Sequence, residues 1–202
     1  PPVTNVNNVS IITGVPPSVH GITANYLLDP RTGQETYMES ADFLCHPSFL
    51  QRAQERGLTT AVLTAKKKLL AMLRRGADLA LSAEEPAPAL VDELGPPGGI
   101  YSPDVNIWLL DAARTILRDR DPDLVYVSTT DGMMHRHAPE TEASQRHIAG
   151  LDAALGRIVA DHPGGEIGLG QGGWRTQLTF PLGRLLSQNM PTMRGVTFER
   201  TG

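Results

Sequence analysis

The sequence predicts an α/β fold, a mostly parallel sheet with helices on both faces, and three observations carry that prediction. Residues 59–64 (TTAVLT) and 123–130 (DLVYVSTT) are short, apolar, β-branched runs, the pattern of strands buried on both faces. Segments of helical spacing alternate with them, as a parallel sheet requires of its crossovers. Polar clusters, Lys66-Lys67-Lys68 and Asp131, stand at the carboxyl ends of strands, where open parallel sheets hold their ligands.

Each element follows from local pattern. Residues 4–14 read as a helix N-terminus, with Thr4 and a run of Asn first and burying residues after. Backbone N–H groups at such an end are unpaired and the helix dipole adds positive potential, so an anion such as a phosphoryl or phosphonyl group is held there. Thr4 either caps this helix or attacks what the helix holds, and capping is the commoner use of such a residue. Residues 14–22 form a turn-rich loop, and 23–29 are extended up to a Pro30-to-Gly33 turn. A helix over 46–57 ends at Gly57, with His46 at its cap. After strand 59–64, residues 66–76 start basic and turn helical through 69–73, and 78–82 make another short strand. Residues 84–99 are rich in Pro and Gly and read as a surface loop. Residues 104–118 space Ile107, Leu110, Ala113 and Ile116 as a helix does. Strand 123–130 follows, then a long helix over 140–160 with Ile148, Leu151, Leu155 and Ile158 on one stripe, then a third core strand over 165–169. From Gly170 onward the periodicity fails, and only 182–187 has the makings of a short helix. No internal repeat is present.

Composition bounds the function. With 202 residues, 40% hydrophobic and 20% charged, the chain is globular and long enough for one α/β domain with a core. A formal net charge of -4 argues against nucleic acid or a membrane surface as the main partner. Cys45 is the sole cysteine, so no internal disulfide forms and a reducing, cytoplasmic setting is expected. No apolar run approaches the roughly 20 residues of a bilayer span, and no basic-plus-apolar leader opens the chain. The start on Pro1-Pro2 without Met suggests a fragment or a processed product.

The strongest constellation is Asp131-Gly132-Met133-Met134-His135, directly after a strand. In a helical turn Asp131 and His135 are i and i+4 and share a face, and a carboxylate beside an imidazole suits zinc or a similar divalent ion. Taken alone the pair is also an ordinary cap and an ordinary surface histidine. If the chain is still extended after strand 59–64, Lys66 and Lys68 point one way and Lys67 the other, so two ammonium groups could grip a carboxylate or phosphonate. The bland alternative is a solvated start to a helix. Asp161-His162 reads as a helix end running into a turn, at the wrong end of the sheet for a site. His20, His46, His137 and His147 read as loop, cap, loop and helix surface.

These residues carry a resemblance. Thr4-Asn5-Val6-Asn7-Asn8, continuing through Ser10-Ile11-Ile12-Thr13-Gly14-Val15-Pro16-Pro17-Ser18-Val19-His20-Gly21-Ile22, resembles the nucleophile segment of the phosphonoacetate hydrolases, and Ser128-Thr129-Thr130-Asp131 to His135 resembles a second motif of that family. The family belongs to the alkaline phosphatase superfamily, beside the nucleotide pyrophosphatase/phosphodiesterases. The resemblance runs from about Pro2 to Leu169, so 1–169 is expected to be an incomplete alkaline phosphatase-like hydrolase domain and 170–202 a divergent tail.

The resemblance implies a role for each matching position. Thr4 matches a nucleophile that also ligates one of two zinc ions. Asn25 matches the Asn that hydrogen-bonds a phosphonyl oxygen, Lys66 and Lys68 the lysines that grip the substrate carboxylate, and Asp131 and His135 two ligands of the other zinc. The implied reaction splits the carbon–phosphorus bond of phosphonoacetate through a phospho-threonine to give acetate and phosphate. The implied partner is a small phosphonate, with no nucleic acid and no membrane, and a homodimer is kept open as the assembly.

Of the ligand positions that the resemblance implies, the sequence supplies Thr4, Asp131 and His135. An Asp on a preceding strand would lie upstream of Pro1, the expected Asp-His-Gly after 165–169 reads Gly170-Gln171-Gly172-Gly173, and no His follows His162. The simultaneous loss of family pattern and periodicity reads as a reading-frame change or an aberrant terminus. Zinc takes about four ligands, so weak metal binding and little or no turnover are expected. The alternatives are a superfamily phosphodiesterase or phosphatase, which needs neither Lys66 nor Lys68, and a non-catalytic remnant that binds an anion.

Overall fold

A computed structural model describes residues 3–168 and the backbone of 169 and 178–180. Helix α1 (Thr4–Thr13) ends at Gly14, whose φ of 69° gives the left-handed cap that glycine adopts without steric cost. Short α2 (Pro17–His20) leads into a hairpin, β1 (Tyr26–Leu28) against β2 (Glu35–Tyr37), antiparallel with Tyr26 opposite Tyr37. Helix α3 (Phe49–Gln54) starts from a capping box: the Ser48 hydroxyl accepts from the Gln51 N–H while the Gln51 side chain accepts from the Ser48 N–H. Ser48, not His46, is therefore the cap, because the hydroxyl stands three residues before the glutamine that answers it.

Next come β3 (Thr60–Thr64), α4 (Lys67–Leu73), β4 (Leu79–Ser82), α5 (Pro88–Leu94), α6 (Val105–Arg120), β5 (Leu124–Ser128), α7 (Glu142–Asp161), β6 (Ile167–Leu169) and β7 (Leu178–Phe180). Among the described residues the parallel sheet runs β4-β3-β5, with Ala61 opposite both Leu79 and Val125. Every residue of β3 is buried, as its apolar, β-branched sequence requires of a central strand.

Alternation along β3 divides the core into two layers. Ala61 and Leu63 pack with Leu90 of α5 and Val105, Trp108 and Leu109 of α6. Val62 packs on the other face with Val9 and Ile12 of α1 and Leu69, Met72 and Leu73 of α4. Helix α7 adds an outer layer, setting Ala154 and Ile158 on Leu110 of α6. The expected α/β architecture, a parallel sheet covered on both faces, is the architecture found.

Several expectations are corrected. Residues 84–99 are not all loop: Pro88 opens α5 at a position that needs no N–H, and Gly95 follows its end. The strand over 165–169 shortens to β6 and pairs antiparallel with β7 instead of joining the parallel sheet, whose third member is β4. On α7 Leu151, Leu155 and Ile158 of the expected stripe pack in the layer against α6, whereas Ile148 is 55% exposed and Ser144, His147 and Ala154 are buried instead. The polar character of Ser144 and His147 hid their burial. His20 is likewise fully buried. Asp161-His162 ends α7 as expected, with Asp161 bonded to Arg114 at 2.6 Å. Residues 182–187 lie outside the described residues.

Candidate active site

The carboxyl ends of β3 and β5 form one rim, and three segments converge on it. From β3, the Thr64 hydroxyl donates to the Lys66 carbonyl at 2.8 Å and the Ala65 N–H donates to the Ser128 carbonyl at 3.1 Å, fixing Lys66 beside the end of β5. From β5, Thr130 is held by Asn106 of α6, whose side chain accepts from the Thr130 N–H at 2.9 Å and donates to its carbonyl at 2.7 Å. This two-point grip sets the direction in which Asp131 leaves the strand.

The third segment is α1. Buried Asn8 donates to the Thr4 carbonyl at 2.9 Å, and its oxygen accepts from the Tyr126 hydroxyl and the Ser128 hydroxyl, each at 2.8 Å. Burial raises the Tyr126 pKa, which keeps the phenol protonated and able to donate. Asn8 thus pins the first turns of α1 to the end of β5, and Thr4 stands one turn from that bond. Thr4 is exposed at the first position of the helix, and the N-cap is Val3, which makes no side-chain capping bond. Capping, the commoner use of a threonine here, is therefore not what Thr4 does.

Asp131 and His135 come together as the spacing predicts. The turn carries a bond from the His135 N–H to the Asp131 carbonyl, and His135 Nε2 lies 3.0 Å from Asp131 Oδ2. A carboxylate and an imidazole this close fit two donors of one zinc ion. Among the described residues no group of three or more His, Cys, Asp or Glu is placed to hold a metal. Asn8 ties the turn that bears Thr4 to the end of β5, the strand from which the Asp131–His135 turn leaves, and Asp131 and His135 by themselves are fewer donors than zinc takes.

The lysines depart from the expected geometry. Lys66 is extended, but α4 begins at Lys67, so Lys68 is already helical and strand alternation does not govern the pair. Lys66 Nζ lies 5.4 Å from the centroid of the Tyr101 ring. Lys68 Nζ donates to Glu39 at 2.8 Å, and this bond raises the Lys68 pKa. Lys67 pairs with Glu85 at 3.1 Å, and its N–H donates to the Glu84 carboxylate at 2.6 Å, so the start of α4 already holds an anion. Asn25 is exposed at the base of the hairpin, where its carbonyl accepts from the Met38 N–H at 2.9 Å. The neighbouring Glu39 links that base to Lys68.

Sequence reasoning missed Asn8, Asn106, Tyr101, Glu39 and the buried histidines. His147 Nε2 faces the Asn106 amide nitrogen at 3.4 Å, while His147 Nδ1 and the Thr130 hydroxyl are buried without a partner among the described residues. His20 Nδ1 accepts from the Ile22 N–H at 3.1 Å, which assigns its proton to Nε2, 2.9 Å from the Ser10 hydroxyl. An asparagine two residues before a serine on a helix start, and a histidine before a glycine in a turn, carry no periodic signal that separates a buried strut from a cap.

Comparison with known proteins places the chain in a family. A model of the Type I phosphodiesterase / nucleotide pyrophosphatase family matches residues 1–165. Two solved structures of phosphonoacetate hydrolase from Sinorhizobium meliloti 1021, one in complex with phosphonoformate and one with phosphonoacetate, are 33% identical to the chain with a TM-score of 0.72. Each match covers 78% of this chain and 42% of the solved one, so the chain spans less than half of the length of those structures. Human ectonucleotide pyrophosphatase / phosphodiesterase 5 aligns over 79% of this chain and 40% of its own at 16% identity, with a TM-score of 0.46.

Proposed function

The chain belongs to the Type I phosphodiesterase / nucleotide pyrophosphatase family, and on that premise we propose that it carries the nucleophile-bearing part of a zinc-dependent phosphonoacetate hydrolase. The observation that supports this most is the Asn8 bond network, which ties the turn bearing Thr4 to the end of β5, from which the Asp131–His135 turn leaves.

In this reading the phosphonyl group of the substrate sits at the start of α1, whose unpaired N–H groups and dipole favour an anion. The Thr4 hydroxyl oxygen attacks phosphorus, and the carbon–phosphorus bond breaks. The departing acetate carbanion is enolate-like, with charge delocalised onto a carboxylate that Lys66 neutralises, joined by Lys68 when the carboxylate displaces Glu39 from it, and it leaves as acetate after taking a proton. Water then hydrolyses the phospho-threonine, releasing phosphate and restoring the hydroxyl. Asn25 donates a hydrogen bond to a phosphonyl oxygen. Asp131 and His135 would hold one zinc ion together with donors beyond this pair, and Thr4 would touch the other. Zinc supplies acidification of an oxygen nucleophile and neutralisation of charge developing on phosphorus.

A second reading, an anion-binding chain without turnover, is favoured by the lack of any three-donor group among the described residues. Zinc-supplemented protein assayed for acetate and phosphate release from phosphonoacetate separates the two. Turnover that Thr4→Ala lowers by at least about a thousandfold, the scale of losing an activated nucleophile, supports the hydrolase. Binding of phosphonoacetate without product supports the second reading, and turnover undiminished by Thr4→Ala removes the assigned nucleophile. A nitrophenyl phosphodiester hydrolysed in preference to phosphonoacetate would move the substrate assignment to phosphodiesters.

A further inference from the structure

The three consecutive lysines at the rim are not equivalent. Lys67 and Lys68 are exposed and each is neutralised, by Glu85 at 3.1 Å and Glu39 at 2.8 Å. Lys66 is partly buried, and among the described residues no carboxylate pairs with it. Its ammonium lies instead 5.4 Å from the Tyr101 ring centroid, within the range in which an aromatic face attracts a cation.

Tyr101 is itself held in place. The Ser102 N–H donates to the Gly99 carbonyl at 2.7 Å, and the Ser102 hydroxyl accepts from the Asp104 N–H at 3.2 Å, so the residue sits on a closed turn leading into α6. Gly132 lies against the ring, where an added Cβ would stand 3.6 Å from the ring Cδ1, and Arg136 reaches the Tyr101 carbonyl at 3.5 Å. Both belong to the turn that carries Asp131 and His135. The ring therefore stands between the uncompensated lysine and the turn that bears the candidate zinc donors.

We propose that Tyr101 is a positioning residue for Lys66: its face holds the ammonium without cancelling its charge, beside the Asp131–His135 turn, and so selects anions that bear a carboxylate next to the phosphonyl group. A carboxylate partner in place of the ring would fix Lys66 equally well but neutralise it, as Glu39 does Lys68. An aromatic face attracts the cation through its quadrupole and leaves the full charge for an incoming anion. The selectivity clause rests on the reading of Lys66 as a carboxylate ligand, whereas the contact between ring and ammonium does not.

The test reads both. Reductive 13C-methylation keeps lysine charged and places a probe on Nζ, and a Lys66→Arg sample assigns its resonance. In the unaltered protein the Lys66 methyl signal is displaced upfield by the ring current. Tyr101→Leu returns it to the position of a free lysine without moving Lys67 and Lys68, and Tyr101→Phe retains the displacement. Calorimetric titration of unmethylated protein with phosphonoacetate, and with methylphosphonate as the carboxylate-free control, gives the second readout. Tyr101→Leu weakens phosphonoacetate about three- to fivefold, the worth of one exposed cation–π contact, leaves methylphosphonate unchanged, and Tyr101→Phe restores the difference. A Lys66 signal unaffected by Tyr101→Leu overturns the proposal, and so does an equal loss for both ligands. If the unaltered chain binds neither ligand, the substrate reading fails, and the methyl resonance alone decides whether Tyr101 holds Lys66.

Discussion

Asn8 is the residue on which the rim depends most. It satisfies the hydroxyls of partly buried Tyr126 and buried Ser128, and ties back the Thr4 carbonyl. Asn8→Ala strands both donors, and an unsatisfied buried group costs about 1–3 kcal/mol. Urea denaturation is expected to show a loss of about 2 kcal/mol, with the Asn8→Ala protein also losing affinity for phosphonoacetate. His20 makes a different prediction. Burial lowers its pKa, with nearby His46 acting in the same direction, so the folded protein holds the neutral ring while the unfolded chain protonates near its ordinary value of about 6.5. The unfolded state then binds more protons below that pH, and stability falls as pH drops from about 6.5 toward the depressed folded value. Thermal unfolding at pH 7.5 and pH 5 should show the lower Tm in acid, and His20→Leu should shrink the difference. Neither residue was legible as a strut. Both are polar, and a polar residue declares its partner only once the chain is folded.

At the scale of elements, periodicity identified what was long or purely apolar and failed where polar residues entered the core. Strand β3 and helix α6 were readable because most of their inward positions are apolar, the buried Thr60, Thr64, Asn106 and Thr115 being too few to break the pattern. Helix α7 was found, but its stripe was drawn through Ile148 because Ser144 and His147 do not look like core residues. Helix α5 was lost inside a Pro- and Gly-rich stretch, although Pro88 at its start and Gly95 at its end are the punctuation of a short helix. Glycine also fixes how elements meet. Gly76, with φ of 87°, follows α4, and a Cβ there would stand 2.5 Å from the Gln51 backbone nitrogen in α3. Neither the left-handed backbone nor the backbone neighbour yields cheaply, so Gly76→Ala is expected to cost about 3 kcal/mol, from strain and overpacking together. A Gly57→Ala control, also at positive φ but with open space around the added carbon, should lose only the strain part. Equal losses by chemical denaturation would show that the contact with α3 does not matter.

For the whole molecule, the alternation of strands and helices was enough to give the class of fold and the edge of the sheet where the polar clusters meet. That the opening helix lies across the end of β5 was not readable, since a strand pattern carries no record of what hydrogen-bonds to its last residue. The order β4-β3-β5 and the antiparallel pairing of β6 with β7 are likewise products of long-range pairing.

The bond between Lys68 and Glu39 links the rim to the base of the hairpin that presents Tyr26, Leu27, Leu28 and Tyr37 to solvent. A carboxylate arriving at Lys68 competes with Glu39 for the same ammonium, and the hairpin gives up a guy-rope each time it succeeds. Occupancy of the rim should therefore be audible at a distance: amide deuterium uptake across Tyr26–Tyr37 should quicken when phosphonoacetate is present and stay level with methylphosphonate. In Glu39→Gln, where the rope is already slack, uptake should be fast with or without the ligand.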